Sequence, residues 1–99
     1  MKLIITARAE REIERKASSW SEHSTVAPDL FWSELKAAVA RLSVEPYAGR
    51  SWTSPRGRQL QRLLLPNTEN YLYYSFDPNQ PLLTIHCLWG ARRQREPRL

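Results

Sequence analysis

The sequence predicts an α+β domain in the order β-α-α-β-β-β, with a helical hairpin packed across a small, mostly antiparallel sheet. Two observations carry this. The N-terminal half holds two stretches whose apolar residues recur every three or four positions, as one face of a helix requires. The C-terminal half holds three short apolar segments separated by turn residues, as hairpin-connected strands require. All 99 residues are expected to form one domain, residues 1–99, because a chain of this length has room for a single core and shows no linker, repeat or low-complexity tract.

The elements follow in order. Residues 2–5, KLII, are a short apolar run closed by Thr6, a good helix N-cap. After it Ala9, Ile13, Ala17 and Trp20 fall on one helical stripe. SEHST, residues 21–25, interrupts with small polar side chains, and Pro28 suits the first turn of a second helix. That helix carries Phe31, Leu35, Ala38, Val39 and Leu42 at helical spacing and is expected to stop before Pro46. Residues 46–58 hold two prolines and two of the three glycines and read as loop. Strands are expected over Gln59–Leu65, Asn70–Phe76 and Leu82–Trp89, joined by the turn-rich segments 66–69 and 77–81.

Composition narrows the class. A hydrophobic fraction of 41% with ten aromatic side chains is that of a folded protein, far from the composition of disorder. The single cysteine, Cys87, cannot form an internal disulfide, and aliphatic runs such as Leu63–Leu65 are far too short to span a bilayer. Residues 1–5 lack the apolar stretch of a secretion signal, so a reduced, cytoplasmic protein with no membrane association is expected. No phosphate-binding glycine loop, paired CxxC or HExxH occurs, and neither a cofactor nor a metal is expected.

The net charge of +5 is unevenly placed. From residue 45 onward every cation is arginine: Arg50, Arg56, Arg58, Arg62, Arg92, Arg93, Arg95 and Arg98, against Glu45, Glu69, Asp77 and Glu96. Arginine favours planar, bidentate contact with carboxylate or phosphate, so this half suits an acidic protein segment or a nucleic acid as well as a solubilising surface. Two clusters pair arginines with an aromatic anchor, the composition of binding hot spots. The loop places Arg50, Arg56 and Arg58 around Trp52, and the tail places Arg92, Arg93, Arg95 and Arg98 after Trp89.

Acid-base chemistry finds little support. Neighbouring strand residues point to opposite faces, so His86 and Cys87 do not form a nucleophile and base pair. Cys87 is expected to share the core face with Leu83, Ile85 and Trp89, and His86 the other face with Leu82, Thr84 and Leu88. His23 is expected to be solvated. Of Tyr71 and Tyr73 on one side and Leu72, Tyr74 and Phe76 on the other, one set faces the helices and the other is free to pack or to stack bases.

The ordered set of motifs resembles the RelE/ParE toxin superfamily of bacterial type II toxin-antitoxin modules over nearly the whole chain. It comprises the opening strand, Ala9 to Ile13 with Glu12 in the first helix, Leu42, Pro46 and Gly49 after the second, the strand Arg62–Leu65, the tyrosine strand running to Asp77, and the closing Leu88-Trp89-Gly90-Ala91-Arg92-Arg93. The resemblance implies a growth-arresting toxin held silent by a cognate antitoxin whose flexible segment wraps it in a hetero-oligomer. Arg56, Arg58, Arg62 and Trp52 are then the antitoxin-binding candidates. RelE-like members cleave messenger RNA on the ribosome with basic and acid-base side chains near the C-terminus. Here no Tyr, His or Lys follows Gly90, and an arginine holds its proton too firmly to shuttle it. ParE-like members bind and poison DNA gyrase without that catalytic set. The expectation is therefore a ParE-like, non-enzymatic gyrase inhibitor, with Trp89, Arg92, Arg93 and Arg95 as the target-binding residues and no catalytic residue. The alternatives are a RelE-like mRNA endoribonuclease acting on the ribosome and an unrelated nucleic-acid-binding module. Gly90 is expected to release the tail from the last strand so that it buries little apolar area. The competing arrangement docks the tail on its own sheet with Arg92 or Arg93 paired to Glu45 or Asp77.

Overall fold

The computed structural model describes all residues 1–99. The chain forms β1 (Lys2–Ile5), α1 (Ala7–His23), α2 (Leu30–Val44), β2 (Arg50–Thr53), β3 (Gln59–Leu65), β4 (Asn70–Asp77) and β5 (Leu82–Gly90). The five strands make one open sheet in the order β1-β5-β4-β3-β2; β1 runs parallel to β5 and every other pair is antiparallel.

One strand departs from the sequence reading. β2 lies inside the segment 46–58 read as loop, and pairs Arg50 with Arg62 and Trp52 with Leu60. Four residues between flanking prolines and glycines give no periodic signal, yet an edge strand needs hydrogen bonds on one side only. Gly49 admits β2 to the sheet. A methyl group there would lie 2.7 Å from both the Arg62 carbonyl oxygen and the Tyr74 hydroxyl, so no other residue fits without movement. The Gly49 N–H donates to that hydroxyl at 2.9 Å.

The helices form for the reasons the sequence offers. Thr6 caps α1, its hydroxyl accepting from the Ala9 N–H at 3.1 Å, and Ala9 and Ile13 are buried with Ala17 and Trp20 packed alongside. α2 buries Phe31, Leu35, Ala38 and Leu42 and ends at Val44, before Pro46; Pro28 lies in the turn that leads into it. Both helices cover the same sheet face. Their apolar stripes meet Leu63, Leu65, Leu72, Tyr74, Leu83, Ile85 and Leu88 in a cluster of 13 buried residues. The Glu34 carboxylate pins α2 to the β3–β4 turn, accepting from the Asn67 and Thr68 N–H groups and from the Thr68 hydroxyl.

A β-bulge corrects the side-chain phase expected for β5. Ile85 faces Tyr74 and Cys87 faces Tyr73, which leaves His86 as the extra residue on β5. Before the bulge Leu83 and Ile85 point at the helices; after it Leu88 does, while Cys87 and Trp89 point away. Cys87 is core, as expected, but its core is the one on the far side of the sheet. Glu12 of α1 supports the bulged strand, accepting from the Leu88 N–H at 3.2 Å.

Candidate functional site

The sheet face without helices carries a second apolar cluster of Trp52, Leu60, Tyr73, Cys87 and Leu99, with Tyr71 and Trp89 at its margin. Trp52 meets Tyr73 edge-on with ring centroids 4.6 Å apart, a favoured aromatic geometry. The lid over this cluster is the C-terminal tail. Leu99 is 7% exposed and Pro97 is fully buried, so the tail docks rather than extending from Gly90 into solvent. Its polar ties are the Trp52 indole N–H to the Glu96 carboxylate, the Trp89 indole N–H to the Arg95 carbonyl at 2.9 Å, and Arg8 to the Arg98 carbonyl at 2.8 Å. The sequence favoured a released tail over this docked one because the residues that Leu99 packs with, Trp52, Leu60, Tyr73 and Cys87, lie on four different strands of the sheet and are joined only by the fold. Two apolar residues closing a run of arginines were the only signal.

The target-binding candidates come together at one end of this face. Arg93 stacks its guanidinium on Trp89, 3.9 Å from the ring centroid. Arg92 pairs with Glu69, donating to its Oε1 at 3.0 Å, and not with Glu45 or Asp77. Its side chain stays 85% exposed, and an ion pair of that kind contributes about 0–1 kcal/mol, so it can exchange Glu69 for another carboxylate. Arg95 gives the sheet its backbone carbonyl and leaves its guanidinium on the surface, where Arg8, Arg56, Arg95 and Arg98 surround an open depression of about 770 Å³ with Trp89 and Glu96. Arg8, from the start of α1, joins them through the fold alone, with no signal near it in the sequence.

The antitoxin-binding candidates divide. Arg56 and Arg58 are exposed in the β2–β3 turn. Arg62 lies over the Tyr71 ring at 4.3 Å and donates to the Tyr73 hydroxyl at 3.3 Å. That hydrogen bond raises the Arg62 pKa, while burial raises the Tyr73 phenol against the opposing pull of Arg62. Trp52 is only 8% exposed, beneath the tail, and reaches a partner only if the tail lifts.

Burial shifts Cys87 and His86 on this face toward their neutral forms. Burial pushes the Cys87 thiol up to about 12, with the Glu12 carboxylate adding to the rise, so the sulfur is a weak nucleophile. His86 is half-buried, its Nε2 2.8 Å from the Ser75 hydroxyl, and burial with the nearby Arg58 lowers its pKa. Both effects favour the neutral imidazole. His23, at the end of α1, is exposed as expected.

No helix is long and apolar enough to cross a membrane. The chain matches no protein-family model and no curated protein sequence.

Proposed function

We propose that this protein is the toxin of a bacterial type II toxin-antitoxin pair, of the RelE/ParE superfamily and nearer its ParE branch, which arrests growth by binding DNA gyrase rather than by catalysis. The motif set that resembles the superfamily falls on a helical hairpin backed by a mostly antiparallel sheet, the architecture the resemblance implies. One observation carries the choice of branch. The depression where arginines gather beside Trp89 is lined by neither lysine nor histidine, and the one carboxylate in its lining, Glu96, is tied to Trp52. Such a group can bind an acidic surface through charge-assisted hydrogen bonds but has no proton to pass. The cognate antitoxin would place carboxylates against Arg56, Arg58 and Arg62.

A ribosome-dependent mRNA endoribonuclease is the second reading, and His86 favours it: a neutral imidazole on the arginine-bearing face is a possible general base. Two assays separate the readings. Purified protein added to a gyrase supercoiling reaction is expected to inhibit it, and added to translating ribosomes is expected to leave messages intact. Message cleavage with supercoiling untouched reverses the assignment.

A further inference from the structure

A separate cationic recess lies on the other side of Gly90, between α1 and the end of β5. It holds about 160 Å³ and is lined by Arg15, Lys16, Ser19, Gly90 and Arg93, with Leu88 its one hydrophobic residue and Glu12 its one carboxylate. Arg15, Lys16 and Ser19 reach it from one side of α1, because positions three and four apart share a helical face. Gly90 leaves the space open: a methyl group there would sit 3.7 Å from the Lys16 Nζ and 3.7 Å from the Arg93 Cγ. Neither Arg15, Lys16 nor Arg93 makes an ion pair within the chain. The Glu12 carboxylate is occupied, with one oxygen on the Leu88 N–H and the other on Arg8 at 3.3 Å. Three cations therefore converge on one small recess without a counter-charge of their own.

We propose that this recess is a binding site for the phosphoryl group of a small phosphate monoester or of free phosphate. Its volume is below the roughly 300–1,000 Å³ that takes a whole drug-sized ligand, so it suits one charged group. The donors approach from two elements: a guanidinium held in place by its stack on Trp89, and an ammonium, a second guanidinium and a hydroxyl from α1. Donors spread in this way match a tetrahedral group with three oxygens better than a planar carboxylate with two. A second recess of about 340 Å³, lined by Lys16, Thr68, Gly90 and Arg93 among others, adjoins the first and gives the remainder of a monoester somewhere to lie.

The test is a titration followed by backbone-amide NMR, at constant ionic strength set with sodium chloride, using inorganic phosphate in one arm and adenosine 5′-monophosphate in the other. It involves neither gyrase nor an antitoxin, so it succeeds or fails independently of the toxin reading. Saturable shifts confined to Lys16, Ser19, Gly90 and Arg93 are expected, with a Kd for phosphate of about 1 mM or tighter. Equal affinity in the two arms assigns the site to the phosphoryl group alone; tighter binding of the nucleotide assigns it to a monoester. Lys16→Gln and Arg93→Gln are each expected to weaken binding at least about tenfold, while Arg11→Gln, on α1 but outside the recess, leaves it unchanged. Shifts spread over all the surface arginines, or full affinity in a folded Lys16→Gln variant, overturn the proposal.

Discussion

The two faces of the sheet are built on different principles. The helix-covered face is aliphatic and continuous, with thirteen buried residues drawn from both helices and three strands. The opposite face has five, capped by a tail whose ties are a few hydrogen bonds and two apolar side chains, and it is edged with arginines. Burial of apolar area supplies most folding free energy, so stability resides mainly on the first face. The second is free to carry charge that the fold does not need.

The contrast can be broken at several points. Phe31→Ala empties the centre of the helix-covered core, where Phe31 is wholly buried, and is expected to cost about 3–5 kcal/mol in urea denaturation. Removing residues 96–99 takes Pro97 and Leu99 from the other face and is expected to cost about 2 kcal/mol. It should also open Trp52 to acrylamide quenching without changing the helical circular dichroism. A loss from tail removal as large as that from Phe31→Ala would make the second face an equal partner in folding.

A smaller effect follows from His86. Its folded-state pKa lies below its ordinary value of 6.5, so the unfolded chain takes up the proton more readily. This group's contribution is fully present above about pH 6.5 and is lost as pH falls from there through the folded pKa. The thermal midpoint of the wild type is expected to drop between pH 7.5 and pH 5.5 by more than that of His86→Gln. Parallel curves would show that the imidazole is not held neutral by the fold.

The same contrast explains what the sequence revealed. α1, α2 and the strands β3, β4 and β5 were legible because each buries one stripe or one alternate set, such as Ala9 with Ile13 or Leu72 with Tyr74, against the aliphatic core. β2 was not, because its pairing depends on Gly49 fitting under Tyr74, a contact 25 residues away. The facing of Cys87 and Leu88 was lost to a one-residue bulge, which reverses every side chain beyond it and leaves no mark in composition. The arginine and aromatic members of the candidate site were visible as types. Their grouping was not, since Arg8, Arg56 and Arg95 come from three distant segments and the tail that gathers them docks by tertiary contact.

If, under the proposed gyrase reading, the arginines beside Trp89 serve binding and not folding, the double variant Arg92→Ala, Arg93→Ala separates the two roles in a supercoiling assay. The variant loses one exposed ion pair and one cation–π stack, together about 1–2 kcal/mol of stability, so it should remain folded by circular dichroism. At a target interface each arginine is worth about 2 kcal/mol, so inhibition is expected to weaken by roughly a thousandfold. A folded double variant that inhibits supercoiling at the wild-type dose would contradict the account.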